Sequence, residues 1–268
     1  MNGAMDAPFL THFQIEFAMK RLMITLSTWG FLAAFALGAW AQDATEVIDK
    51  AIKAHGGEAA LSKLKIYSWS AKGTISFGGA ETSMTATQVS EGLDKVRSTF
   101  KSEFGGTPVE AVTVLAGDKG WFHFGDQRGA LEGPQLEYTK RQAYLNAVTV
   151  TLLPLKSKDF KTTLGGEEKV GDKDAVVVKG TGPDGKEFVL HFDKESGLLL
   201  KLTVPGVADF GGGEFTHSIT FSDYKEIAGI KKAMKSDATR DGQKFASQEL
   251  TEFKVLDKVE EGTFDEPK

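Results

Sequence analysis

Beyond residue 41 the sequence holds the histidines His55, His123, His191 and His217, and no two lie within four residues of each other. That spacing lacks the paired histidines of a zinc protease, and no Gly-x-Ser-x-Gly nucleophile elbow is present. His123 and His191 alternate with phenylalanines, so each is expected to face away from its aromatic neighbours, toward solvent or a local hydrogen-bond partner. Acid–base chemistry would need one of them within hydrogen-bond reach of a carboxylate inside a cleft. Asp193-Lys194-Glu195-Ser196-Gly197 brings carboxylates close together, but it separates two strong strand patterns and reads as a turn. Gly180-Thr181-Gly182-Pro183-Asp184-Gly185 fits a glycine-rich dinucleotide pattern in letters. It leads into a strand and contains a proline, whereas a phosphate site needs free backbone N–H groups at a helix start. A hairpin turn is the expected structure. Glu167-Glu168 and Glu260-Glu261 read as solvated charge. Cysteine is absent, which removes disulfides, thiolate metal sites and cysteine nucleophiles. The expectation is a protein with no catalytic residue, no cofactor and no metal.

The elements that would carry these residues are mostly strands. Residues 43–64 read as a helical hairpin. Val47, Ile48, Ala51 and Ile52 recur at helical spacing, His55-Gly56-Gly57 breaks the pattern, and Ala59, Leu61 and Leu64 continue it. The period then changes to two. Trp69, Ala71, Gly73, Ile75 and Phe77 share one face of a half-buried strand over 67–77, and Gly78-Gly79 turns the chain. Further strands are predicted over 81–90, 93–103, 108–115 and 119–124. After a helix they resume over 159–165, 167–171, 174–180, 186–193, 197–204, 214–224, 228–235 and 243–256. The intervening helix, 135–153, runs from Pro134 to Pro154 and carries Leu136, Ala143, Tyr144, Ala147, Val148, Thr151 and Leu152 on one stripe. The tail from Asp257 is expected to fray. Short spacings between strands argue for hairpins over βαβ crossovers. The predicted class is mainly β (α+β). A large antiparallel sheet curls into an incomplete barrel, with the N-terminal helical hairpin and one internal lid helix.

The N-terminal region reads as an export signal. Lys20-Arg21 precedes an apolar run from Leu22 to Leu37, and Ala39 and Ala41 supply the small residues that signal peptidase requires. Cleavage is expected after Ala41. The run of about 16 residues falls short of the roughly 20 that span a bilayer as a helix, so a cleaved signal is favoured over an anchor. Met19 is the better start, which makes 1–18 an upstream extension of the reading frame, 19–41 the signal and 42–268 a single β domain. No later apolar run is long enough to span a membrane, and without cysteine no lipid anchor can be attached to the new N-terminus. The net charge is −5 with acids and bases interspersed. There is no basic stripe for nucleic acid and no polybasic patch for anionic lipid headgroups.

Four segments, taken in order, carry a resemblance: Ala54-His55-Gly56-Gly57 with its Leu61/Leu64 helix, Gly117-Asp118-Lys119-Gly120-Trp121, Phe192-Asp193-Lys194-Glu195-Ser196-Gly197-Leu198-Leu199, and the run from Asp223-Tyr224 to Lys231-Lys232. Together they resemble the periplasmic outer-membrane lipoprotein-sorting proteins, the LolA/LolB/LppX-like superfamily, over most of 43–256. The resemblance implies an incomplete antiparallel barrel wrapped on a helical lid, with an apolar cavity for acyl chains. It also implies a soluble periplasmic carrier of lipid or acylated lipoprotein, with possible envelope protein partners. The buried arginine with which the well-studied carrier holds its lid closed has no match here; Arg97, on a strand, is not identified with it. A sheet of this size has more inward face than one helix can fill. Trp69, Phe77, Trp121, Tyr144, Val148, Leu152, Phe188, Phe192, Leu200 and Leu202 are the candidate lining of the hollow that remains. Two other readings stay open. A non-catalytic protein-interaction module of the envelope would have a filled core and an outer apolar patch. A hydrolase would place His123 or His191 beside a carboxylate in a cleft.

Overall fold

The period-two patterning becomes two β-meanders that join into one antiparallel sheet. A computed structural model describes residues 44–77, 79–207 and 214–267, all within one compact unit, Asp43–Lys268. The expected upstream extension 1–18 and signal 19–41 lie outside the described residues, as do Gly78 and the side chain of Phe77.

The first meander comprises β1 (Ile66–Phe77), β2 (Ala80–Glu91), β3 (Lys95–Phe104), β4 (Thr107–Ala116), β5 (Lys119–Phe124) and β6 (Gln127–Ala130). The second comprises β7 (Lys161–Val170), β8 (Lys173–Thr181), β9 (Glu187–Asp193), β10 (Leu199–Val207), β11 (Glu214–Ile227), β12 (Ile230–Arg240) and β13 (Gln243–Val255). The strand order is β6-β5-β4-β3-β2-β1-β13-β12-β11-β10-β9-β8-β7, so the chain's first and last strands meet in the middle. Their pairing runs from Tyr67 opposite Val255 to Ile75 opposite Ala246. The two outer edges, β6 and β7, do not pair, and the barrel stays open.

The helices are α1 (Ala44–Ala54), α2 (Glu58–Leu61) and α3 (Gly133–Thr151), the last followed by a short 3-10 turn at Leu153–Lys156. α3 links β6 to β7, the opposite edges of the sheet. Its 19 residues span about 28 Å. Near its start Leu136 approaches Gly120 of β5, and one turn further on Arg141 bonds Asp184 in the β8–β9 turn. On a flat sheet those two points would be roughly 48 Å apart, at about 4.8 Å per strand. Both can touch the same short helix only because the sheet curls around it.

Burial follows the sequence pattern closely. α1 buries Val47, Ile48, Ala51 and Ile52. This stripe joins Tyr67, Phe188, Phe192, Leu199, Ile230 and Phe253 in one core. The Tyr67 and Phe253 rings stack at 5.8 Å, and Phe160 meets Phe188 edge-on at 6.3 Å. Three expectations need correction. β6 was not predicted, because Gln127-Arg128-Gly129-Ala130 has no apolar alternation; it is held by pairing with β5 alone. The predicted strands 159–165 and 167–171 are one strand, β7, whose Gly165-Gly166 pair makes a bulge and not a turn. The tail does not fray from Asp257. Arg97 Nη1 donates to the Thr263 carbonyl at 3.5 Å and Pro267 is buried.

Candidate ligand-binding site

A cavity of about 340 Å³ lies between α3 and the inner face of the sheet. The sheet contributes Trp69 and Ala71 from β1, Leu202 from β10, Ile219 and Phe221 from β11 and Leu250 from β13; α3 contributes Leu145, Gln142, Asn146 and Thr149. Its volume sits at the lower end of the roughly 300–1,000 Å³ typical of small-molecule sites. Gln88 and Gln142 separate it from a second chamber of about 200 Å³ beside Val96, Thr113 and Tyr138. On another side, Lys235 and Gln248 border a trough of about 790 Å³ lined by Lys72, Thr74, Ser83, Lys101 and Glu103. The trough is larger but more open to solvent, which would leave a hydrocarbon in water. The cavity under α3 is therefore the better site for an apolar ligand.

α3 is latched over this cavity by a polar cluster at the β8–β9 turn. Arg141 Nη1 donates to Asp184 Oδ2 at 3.1 Å, and Nη2 donates to the Glu187 carbonyl at 2.6 Å. Tyr144 OH donates to Asp184 Oδ1 at 2.9 Å. Burial, foremost, raises the Tyr144 phenol above its ordinary pKa, so it remains a donor. The glycine-rich stretch 180–185 supplies this turn. A Cβ on Gly182 would lie 2.5 Å from the Tyr144 oxygen, so glycine is needed for close approach of the ring. Asn146 adds a bond from Nδ2 to Tyr67 OH at 3.0 Å.

The base of the cavity adjoins a second cluster, where three of the four resembling segments meet. His55 directly follows α1, and its carbonyl accepts from Lys231 N at 2.9 Å. Gly56 (φ 124°) lets the chain pass so near the β11–β12 turn that a Cβ there would lie 2.5 Å from the Gly229 oxygen. His55 Nδ1 bonds the Ala51 carbonyl at 2.8 Å, and Leu199 N–H points to Nε2 at 3.5 Å. This pattern assigns the proton of a neutral ring to Nδ1. Burial, opposed by the Ala51 bond and reinforced by Lys232, lowers the His55 pKa to about 4. Asp193 of the third segment caps its own turn, accepting from Glu195 N at 3.0 Å and Ser196 N at 2.9 Å. Burial pushes its carboxyl upward, but these bonds and Lys173 outweigh it and hold the pKa below the ordinary value.

Of the ten residues expected to line the hollow, the structure brings Trp69 and Leu202 to the cavity wall. Tyr144, Val148, Leu152, Phe188 and Phe192 are packed in the core. Leu200 is buried beside a bulge in β10, and Trp121 on β5 is half-buried away from these three hollows. Phe77 has no described side chain. Sequence reading missed Ile219, Phe221, Leu250 and Lys232. The alternation of Ile230, Lys232 and Met234 along β12 was the available signal for the last of these. His191 Nε2 does lie 2.9 Å from Glu168 Oε2, but neither residue lines any of the three hollows. His123 bonds the Gly125 carbonyl locally at 2.8 Å. Among the described residues no group of three or more His, Asp or Glu is placed to hold a metal, and no helix is long and apolar enough to cross a membrane.

No sequence-family profile matches the chain, and no curated protein matches it in sequence. Solved structures do match in fold. A LolA superfamily protein from Nitrosomonas europaea aligns with a TM-score of 0.54 and 14% identity, over 83% of this chain and 97% of that one. An outer membrane lipoprotein-sorting protein domain from Vibrio parahaemolyticus aligns with a TM-score of 0.51 and 14% identity, over 82% and 95%. A DUF1329 family protein from Desulfovibrio piger aligns with a TM-score of 0.51 and 14% identity, over 82% and 96%. With its open antiparallel sheet curled on an internal helix, the chain has the fold of the LolA superfamily and of outer-membrane lipoprotein-sorting domains.

Proposed function

We propose that this protein is a non-catalytic carrier, acting outside the cytoplasm, that holds one acyl chain or a similarly slender apolar ligand beneath α3. The observation that carries the reading is the cavity walled by Trp69, Leu202, Phe221 and Leu250. An apolar wall left unfilled under a helix is a binding surface in waiting. Its volume of about 340 Å³ suits one chain better than the several chains of a lipoprotein held at once. Burying about ten methylenes would supply roughly 8 kcal/mol before ordering costs. The export signal read at 19–41 and the lipoprotein-sorting fold neighbours both support a role in the envelope.

Native mass spectrometry of the protein purified from a secreting host, followed by solvent extraction, tests this directly. Near-stoichiometric acyl lipid is the expected result. A clean apo mass together with failure to take up a fluorescent fatty-acid probe would overturn it and favour an interaction module. Ala71→Leu supplies a structural control. Ala71 is buried and borders the cavity, so the larger side chain occupies ligand space. Probe affinity should fall at least about tenfold, while stability changes by no more than about 1–3 kcal/mol.

A further inference from the structure

Two lysines, Lys232 and Lys235, line the cavity beneath α3, and no carboxylate does. The lysines are not equivalent. Lys235 is exposed and lies opposite Glu249 in the β12–β13 register. Lys232 makes no ion pair or side-chain hydrogen bond among the described residues; its Nζ sits 5.6 Å from the centre of the Phe253 ring. Across β11 its register partner is Lys225, which pairs with Asp223 at 3.5 Å. On the α1 side it faces His55, which burial keeps neutral. The Lys232 side chain keeps partial exposure because it borders the cavity, yet protein atoms crowd its ammonium, and this desolvation lowers its pKa to about 8. An ammonium that is partly desolvated and has no carboxylate within ion-pair distance among the described residues gains when an anion joins it.

Lys232 also has a definite place in the cavity. Residues Lys232–Ser236 of β12 line its wall, with Lys232 and Ser236 about 13 Å apart along the strand. Trp69, Leu202, Phe221 and Leu250 supply its apolar wall, beside the amides of Gln88, Gln142, Asn146 and Gln248. Resting on the carrier reading above, we propose that the ligand is a single-chain amphiphile with an anionic head of the fatty-acid type. Its carboxylate pairs with the Lys232 ammonium, and its hydrocarbon tail lies along the apolar wall. The bond is charge-assisted and partly desolvated, a setting that strengthens such pairs.

The test compares laurate with methyl laurate, which keeps the chain and removes the charge, on the purified protein and on the variants K232M and K235M. Displacement of a fluorescent probe reads both ligands. The unaltered protein should bind laurate at least about tenfold more tightly than the ester. K232M should lose that preference while still binding the ester, which also shows that the variant is folded. K235M should retain the preference. Equal binding of acid and ester by the unaltered protein, or a laurate preference that survives K232M, would overturn the assignment while leaving the carrier reading intact. Failure of both ligands to bind the unaltered protein would overturn the carrier reading and this proposal with it.

Discussion

Asp184→Ala is expected to destabilise the protein by about 3–5 kcal/mol, because it leaves a buried guanidinium without its counter-charge. The Arg141 side chain is 4% exposed and that of Asp184 is 17% exposed. Loss of the carboxylate leaves Arg141 with the Glu187 carbonyl alone and strips Tyr144 OH of its acceptor. Arg141 Nε already lacks a partner, so no neighbouring oxygen stands ready to compensate. Asp184→Asn should fall between, since the amide can still accept from Tyr144 but cannot balance the charge. The double variant Arg141→Met/Asp184→Ala should recover part of the loss, because a well-packed apolar pair can replace a buried ion pair. Urea denaturation of the four proteins measures this. A loss below about 1 kcal/mol for Asp184→Ala would place the pair among solvent-screened surface bridges and remove the latch from the description of α3.

That latch shows where sequence reading stopped. The turn at Gly182-Pro183-Asp184-Gly185 was legible from its residue types, and the helix over 135–153 from its stripe. Their meeting was not legible, because 30 residues (152–181) separate the end of α3 from the turn, and only the curl of the sheet brings them together. Arg141 lies on the same helical face as Tyr144 and Val148, and a charged residue on a buried stripe is a sign of a partner across the fold. Strand faces were legible where burial falls on one side, as in β1, where Tyr67 and Ala71 are buried and Lys72 is exposed; β9 is covered on both faces, and His191 is buried there with Leu190 and Phe192. The cavity wall was read less well. Aromatic residues on strands look alike in sequence whether a helix covers them or not. Phe188 and Phe192 are buried in the core with Phe160 and the α1 stripe, whereas Phe221 is only partly buried against that core and borders the cavity beneath α3. The four segments that suggested the fold looked like separate turns. Three of them form one contact cluster around His55, and the other, Gly117–Trp121, meets the first half of α3, where Leu136 approaches Gly120 and Lys140 bonds Asp118 at 2.9 Å. Their order was informative because each end of a helix needs its own socket.

The His55 cluster makes the protein sensitive to mild acid. An unfolded chain binds a proton on this histidine near pH 6.5, whereas the folded protein resists it until about pH 4. Between those values the unfolded state holds more protons, so stability falls as pH falls; the loss begins near 6.5 and is complete near 4. The expected size is about 3 kcal/mol. The structure gives the reason. A second ring proton would sit on Nε2, facing the Leu199 N–H, in a site with no carboxylate partner among the described residues and with the Lys232 cation nearby. Burial also lowers the His217 pKa and adds a loss of the same sign. Asp193, held below its ordinary 3.8, contributes only at lower pH. His55→Phe separates these effects. It gives up the bond to Ala51, so the variant should be less stable at pH 7, but its stability should change much less between pH 6.5 and 4.5 than that of the unaltered protein. Urea melts at several pH values in that window measure the slope. Parallel profiles for the two proteins would mean that His55 accepts its proton without leaving the socket, and that α1 is not held by a neutral imidazole.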